Sequence, residues 1–348
     1  MGIGQQGVDV VLGDTNNGHS TAPTEQEVLR FATSFDRLAA NIAKVLKGKQ
    51  DAIRLALTCL FAEGHLLLED VPGVGKTTMA KAIANSIDGS WQRIQFTPDL
   101  LPSDVTGVQI FNRARNEFVF HPGGVFANIV IGDEINRASP KTQSALLEVM
   151  EERQVTVDST PYLVPRPFMV LATQNPVEHE GTYNLPEAQI DRFLMRLSIG
   201  YPSMQDELAI IYGNVSPAEQ VCHLTPVLSA GEVRRMIALT ERIYIAPALA
   251  QYIVHLTSAT RCLPELRLGV SPRGTIGLAR AARAYAAAAN RPFVTADDIK
   301  ELAPLVLVHR MILTPEAELR GRNSLELLLN LLQVVPVPQA RFEGPRHG

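Results

Sequence analysis

Apolar residues recur along this chain with two periods, and the way the periods alternate predicts the architecture. From Glu25 to Leu46 they fall at helical spacing, with Val28, Phe31, Ala32, Phe35, Leu38, Ile42 and Val45 on one stripe. A second helical stretch, Gln50 to Glu63, runs into the apolar triplet Leu66-Leu67-Leu68, which reads as a short buried strand, and Thr77 to Ile87 returns to helical spacing. Trp91 to Phe96, Phe126 to Ile131, Phe168 to Ala172 and Met195 to Ile199 read as further strands. Short apolar strands separated by helical stretches are the rhythm of a parallel sheet covered by helices. Two segments interrupt it. Val108 to Phe120 alternates around the polar turn Asn112 to Asn116, and Gln154 to Val157 faces Tyr162 to Val164 across Asp158 to Pro161. Each predicts an inserted hairpin.

After Tyr201-Pro202 the pattern becomes helical throughout. Ser229 with Glu232 and Thr295 with Asp298 have capping-box spacing, Pro247 to Ala259 and the alanine-rich Gly274 to Ala289 continue the theme, and Leu325 to Leu332 supplies a last helix. The expected organisation is a disordered leader over 1–24, an α/β domain over 25–204, an α-helical domain over 216–334 and a loose tail over 335–348.

Composition narrows the class without naming a function. A chain of 348 residues with 46% hydrophobic and 20% charged residues buries a core across two or three domains. Its net charge of -4 gives no bulk attraction to nucleic acid or an anionic membrane. Cys59, Cys222 and Cys262 lack metal or redox spacing, which fits buried thiols in a reducing cytosol, and Cys222-His223 reads as a helix flank rather than half a zinc site. No apolar run approaches the roughly 18 residues of a membrane span, and the start lacks a charged signal region, so a cytoplasmic location is expected.

The candidate chemistry begins at EDVPGVGKTT, Glu69 to Thr78, between the first strand and the following helix. That is the context of a phosphate-binding loop. Asp70, Val71, Pro72, Gly73, Val74, Gly75, Lys76, Thr77 and Thr78 form the candidate nucleotide cradle. Glycines there let successive N–H groups face phosphate oxygens, Lys76 reaches the β- and γ-phosphates, and the Thr77 hydroxyl holds Mg²⁺. The strict pattern G-x-x-x-x-G-K-[ST] asks for glycine where this chain has Asp70. Asp133 and Glu134 follow an apolar strand, so both acids should face the loop, Asp133 as a Mg²⁺ partner and Glu134 as the base for the attacking water; the plainer alternative is a pair of loop acids. Asn175 ends another strand and can bond both a γ-phosphate and a water, or can simply turn the chain before Pro176. Asn184 and Glu187 have capping-box spacing for a short helix ending at Asp191-Arg192-Phe193, where Arg192 is a catalytic candidate or an ion-pair partner of Asp191. Arg273 enters the first turn of its helix, where a cation opposes the helix dipole unless an anion compensates.

Five signals thus stand in order: EDVPGVGKTT, VIGDEINRA, LATQNP, EAQIDRF and SPRG. The set resembles an AAA+ ATPase, and GDEINRASPKTQSALLEVMEE, ATQNPVEHEGTYNLPEAQIDRFL and GVSPRG resemble the MoxR family of the helix-2-insert group, over roughly Glu25 to Pro338. The resemblance implies an AAA+ core with a parallel five-stranded sheet, inserted hairpins and a C-terminal helical lid. It makes Asn175 sensor 1, Arg192 the arginine finger and Arg273 sensor 2. It also implies Mg²⁺-dependent ATP hydrolysis in a homo-oligomeric ring, commonly a hexamer, whose client protein carries a von Willebrand factor A domain, with roles in complex maturation or metal and cofactor insertion. The alternatives are a nucleic-acid motor, for which Arg113 and Arg115 at the first hairpin tip are thin support, the ATPase subunit of a metal chelatase, and a small-molecule phosphotransferase, against which the two arginines and the lid argue.

Overall fold

The structure is a computed structural model that describes residues 22–70, 74–174, 183, 185–201, 203–212 and 221–338. The leader over 1–21, the tail beyond 338, Val71 to Gly73, Asn175 and Asn184 therefore lie outside the described residues.

Thr24 closes a capping box with Glu27 at the start of α1 (Glu25–Ala43), which packs with α2 (Gln50–Phe61). Then come β1 (Leu66–Glu69), α3 (Lys76–Ser86), β2 (Trp91–Gln95), α4 (Pro102–Thr106), and the strands β3 (Gly107–Asn112) and β4 (Glu117–Pro122). After them follow β5 (Ile129–Asp133), α5 (Pro140–Glu152), β6 (Gln154–Val157), β7 (Thr160–Leu163), β8 (Met169–Gln174), α6 (Glu187–Ile190) and β9 (Met195–Leu197). The central sheet has five strands in the order β2-β5-β8-β1-β9, and each neighbouring pair is parallel.

Burial on both faces follows from the period of two. Leu66, Leu68, Ile129, Ile131, Met169, Leu171, Met195 and Leu197 join a core with α1, α2, α3 and the C-terminal helices. The intervening Leu67, Val130, Val170 and Ala172 join a second core with Leu146, Leu147 and Met150 of α5. A strand buried on both sides reads as an unbroken apolar run, which is why these strands stand out in the sequence.

Both hairpins form outside the sheet, as two separate antiparallel pairs, β3 with β4 and β6 with β7. The second is tighter than its sequence suggests. Asp158 and Ser159 both take positive φ, 46° and 66°, so a two-residue turn of that hand replaces the predicted span to Pro161. Phe120 stacks on Tyr162 with ring centroids 3.9 Å apart, which joins the hairpins to each other.

The remaining helices are α7 (Met204–Ile211), α8 (Ala230–Glu241), α9 (Pro247–Arg261), α10 (Pro272–Ala288), α11 (Ala296–Leu307), α12 (Pro315–Leu319) and α13 (Ser324–Val334), with the short strands β10 (Leu266–Leu268) and β11 (Ile312–Leu313) between them. Those from α8 onward form the helical lid. Its α10 also packs on α1 and α2, so one core runs through both parts of the molecule. Two expectations change here. The third sheet strand starts at Ile129, because Phe126 turns aside to pack on Phe120, and it carries Gly132 and Asp133 inside it. Only Cys59 is buried; Cys222 and Cys262 face solvent, the latter as the C-cap of α9.

Candidate active site

Open parallel sheets bind ligands at the carboxyl ends of their strands, and the structure gathers four chemistry-bearing side chains there. Gly75 ends the phosphate loop in the left-handed region at φ 99°, a conformation that strains any residue with a Cβ, and α3 starts at Lys76 with Thr77 and Thr78 half-buried in its first turn. Val74 is buried beneath. Lys76 Nζ donates to the Asp70 carbonyl at 2.5 Å. Burial lowers the Lys76 ammonium pKa, and the carboxylates of Asp70, Asp133 and Glu134 oppose that shift, which puts all three within electrostatic reach.

Asp133 is buried and Glu134 partly so. Thr173 on β8 donates its hydroxyl to Asp133 Oδ1 at 3.2 Å and accepts the Glu134 N–H at 3.0 Å, clamping the two acids to the neighbouring strand end. Glu134 holds a left-handed φ of 57°, an unfavourable conformation for a glutamate that places its carboxylate beyond the strand. Three partners escaped the sequence reading. Arg93 Nε bonds Asp133 Oδ2 at 2.6 Å, Gln95 Nε2 bonds Glu134 Oε2 at 3.0 Å, and Arg137 pairs with Glu134 at 3.2 Å. Arg93 and Gln95 alternate on β2, whose parallel register sets them beside Ile131 and Asp133, so the signal was a polar i, i+2 pair on a strand next to two acids.

A hydroxyl, two carboxylates, an ammonium and a helix N-terminus at one sheet end fit a nucleotide triphosphate with a hard divalent cation. Asp133 Oδ2 is satisfied by Arg93, so a cation bound there would take over part of that arginine's role.

Asp70 does not face this site with its side chain. Its carboxylate accepts from Ser198 Oγ at 2.7 Å, from the Ile199 N–H at 2.5 Å and from the Gly200 N–H at 3.2 Å.

Arg192 and Arg273 come together at the opposite end of the sheet. His65, just before β1, bonds the Met150 carbonyl near the end of α5 and accepts the Val170 N–H, both at 3.0 Å, which fixes Glu151 at the amino ends of the strands. Arg192 Nε bonds Glu151 Oε2 at 2.8 Å, and Arg273 pairs with Glu151 and, at 3.3 Å, with Asp191. The anion that Arg273 needs at the start of its helix is thus supplied within the chain, as is an ion pair for Arg192, with Glu151 rather than its neighbour Asp191. The helix leading to Asp191 starts at Glu187 with Pro186 as N-cap, and Asn184 of the predicted capping box lies outside the described residues. Behind both arginines a cleft of about 400 Å³ is lined by Glu63, Arg153, Arg280 and Arg310 among others. Arg310 is 5% exposed and reaches Asp191 at 2.8 Å, a lock between lid and α/β domain with no sequence motif to announce it. Arg196 pairs instead with Glu69 at 3.2 Å.

Known proteins resemble this chain in sequence and fold. The family described as "ATPase family associated with various cellular activities (AAA)" matches residues 65–195, and the AAA lid domain matches residues 258–328. YeaC of Bacillus subtilis, itself uncharacterized, is 49% identical over 301 residues, covering 86% of this chain and 94% of YeaC. Chaperone MoxR1 of Mycobacterium tuberculosis is 39% identical over 343 residues, covering 93% of this chain and 90% of MoxR1. A crystal structure of a protein from Cytophaga hutchinsonii superposes with a TM-score of 0.83 at 38% identity, covering 90% of this chain and 98% of that one. With a phosphate loop and acid pair at one end of a five-stranded parallel sheet, a helical lid, and full-length relatives of this similarity, the chain belongs to the MoxR family of AAA+ ATPases.

Proposed function

We propose that the protein is a Mg²⁺-dependent, ATP-hydrolysing remodelling chaperone that works as a ring, each ATP site being completed by Arg192 and Arg273 of a neighbouring subunit. The observation that carries this reading is the division of charge between the two ends of the sheet. Lys76, Asp133 and Glu134 stand at the carboxyl ends, Glu151 with Arg192 and Arg273 at the amino end, and the four residues of β1, about 13 Å of strand, lie between. Neither arginine spans that distance to its own phosphate loop, whereas a second copy can present both.

In this reading Lys76 leaves the Asp70 carbonyl for the β- and γ-phosphates, beside the N–H groups that open α3. Thr77 and Asp133 would hold Mg²⁺, which would neutralise phosphate charge. Glu134, released from Gln95 and Arg137, accepts the proton of the water that attacks the γ-phosphorus, and Asn175 orients that water. The products are ADP and phosphate. A finger such as Arg192, supplied in trans, is worth about 10³ to 10⁵ in rate.

The exposed apolar side chains of the hairpins, Ile110, Phe111, Phe118 and Leu163, suit contact with a protein client better than with phosphates. The name of the relative MoxR1, a chaperone, agrees. A client with a von Willebrand factor A domain and a role in metal or cofactor insertion follow from the family resemblance. The test is ATP turnover in mixtures of Arg192→Ala and Glu134→Gln chains, each nearly inactive alone. Restored turnover on mixing is expected; assembly of both variants without any restoration overturns the shared site.

A further inference from the structure

We propose that Asp70 is a positioning residue that ties the state of the phosphate loop to the turn Ser198–Tyr201, where the sheet hands the chain on toward the lid. The inference rests on the nucleotide-site reading above and extends it to a residue that departs from the strict loop pattern. Where that pattern has glycine, this chain has a side chain 7% exposed whose two carboxylate oxygens accept hydrogen bonds from Ser198 Oγ, Ile199 N–H and Gly200 N–H. Charge-assisted bonds of this kind are short and strong. The carbonyl of the same residue accepts the Lys76 ammonium. One Cα therefore carries two groups, one bonded to the lysine that takes the nucleotide and the other to the exit of the last sheet strand.

The turn is built to respond. Gly200 sits at φ 68°, in the left-handed region, and a Cβ built there meets nothing within 4 Å, so glycine is required by the backbone angle and not by crowding. From the other side Lys49 Nζ donates to the Gly200 carbonyl at 3.0 Å and the Tyr201 carbonyl at 2.6 Å. The next described helix, α7, begins at Met204. When Lys76 turns to a phosphate, the Asp70 carbonyl loses its charged donor and its peptide plane is released. The carboxylate, pinned on two backbone N–H groups and a hydroxyl, carries that change to Ile199 and Gly200. A glycine at position 70 has no such arm.

The test is amide hydrogen exchange of the full chain, with and without ADP or a slowly hydrolysed ATP analogue, read at Ile199 and Gly200, with nucleotide binding measured alongside. In the wild type, nucleotide is expected to change exchange at these two amides by about threefold or more. Asp70→Asn replaces one acceptor oxygen by an N–H₂ group, although the two backbone donors use different oxygens, and at nucleotide concentrations that saturate the variant the nucleotide-dependent change is expected to vanish. Ser198→Ala removes one arm without touching the phosphate loop, should fold whatever Asp70→Asn does, and is expected to reduce the change to about half. A bound wild type with no change at Ile199 and Gly200, or variants that keep the whole wild-type change, overturn the coupling and leave the nucleotide site standing. Failure of the wild type to bind nucleotide overturns both.

Discussion

Replacing Arg310 by methionine tests whether the lid and the α/β domain are locked by a single buried cation. The guanidinium side chain is 3% exposed. Its Nε bonds Asp191 Oδ1 at 2.8 Å, Nη2 bonds the carbonyls of Asp191 at 3.0 Å and Phe193 at 2.6 Å, and Nη1 bonds the Val306 carbonyl and reaches Leu194 O at 3.3 Å. Burial lowers the Arg310 pKa and Asp191 opposes the shift, so the ion is expensive to hold without that partner. Methionine fills much of the volume but leaves a carboxylate with only Ser271 and Arg273, and deprives buried carbonyls of donors. Removing one partner of a buried pair costs about 3–5 kcal/mol. A urea unfolding series should therefore place Arg310→Met about that far below the wild type, and Asp191→Asn similarly low, with the double variant less destabilised than the sum because no charge is left unpaired. Because Asp191 precedes Arg192, ATP turnover should fall as well. A loss under about 1 kcal/mol with additive single variants would refute the lock.

Lys76→Ala should abolish nucleotide binding, and Glu134→Gln should bind ATP and fail to release phosphate; a fluorescent nucleotide titration and a phosphate-release assay separate the two. Burial pushes the His65 imidazole down to about 3 and His309 well below its usual range, so both are neutral when folded. The unfolded chain, with histidines near 6.5, binds those protons first, so stability should be intact above pH about 6.5 and fall by up to about 1.4 kcal/mol per pH unit per histidine below it. Unfolding midpoints at pH 7.5 and 5.5 check this, and His65→Gln should flatten the dependence. Phe120→Ala should cost about 0.5–1.5 kcal/mol beyond lost burial through the Tyr162 stack and raise exchange of the β6–β7 amides; unchanged exchange there would mean the hairpins move independently.

The sheet and the strand-to-helix setting of the candidate phosphate loop were legible because each is written in neighbouring residues: apolar runs such as Leu66-Leu67-Leu68 set strands buried on both faces, and Gly75-Lys76-Thr77 sets a helix start. Hairpin existence was legible for the same reason, while the turn at Asp158-Ser159 was not, since neither residue advertises positive φ as glycine does. What sequence conceals is partnership at a distance. Glu151 is one acid among several near the end of its helix until folding brings in Arg192 from 41 residues and Arg273 from 122 residues away.

Asp70 looks like a flaw in a motif until Ser198 to Gly200, some 130 residues on, prove to be its partners. Arg310 has no local pattern at all, yet it joins the lid to the residue beside the candidate finger. The candidate nucleotide loop is thus encoded locally, because a loop that cradles phosphate needs particular backbone and side chains together. The ion pairs around Glu151, Asp191 and Asp70 are encoded by charge pairing across the fold, where many sequence positions could supply the same ion and only the packed chain selects one.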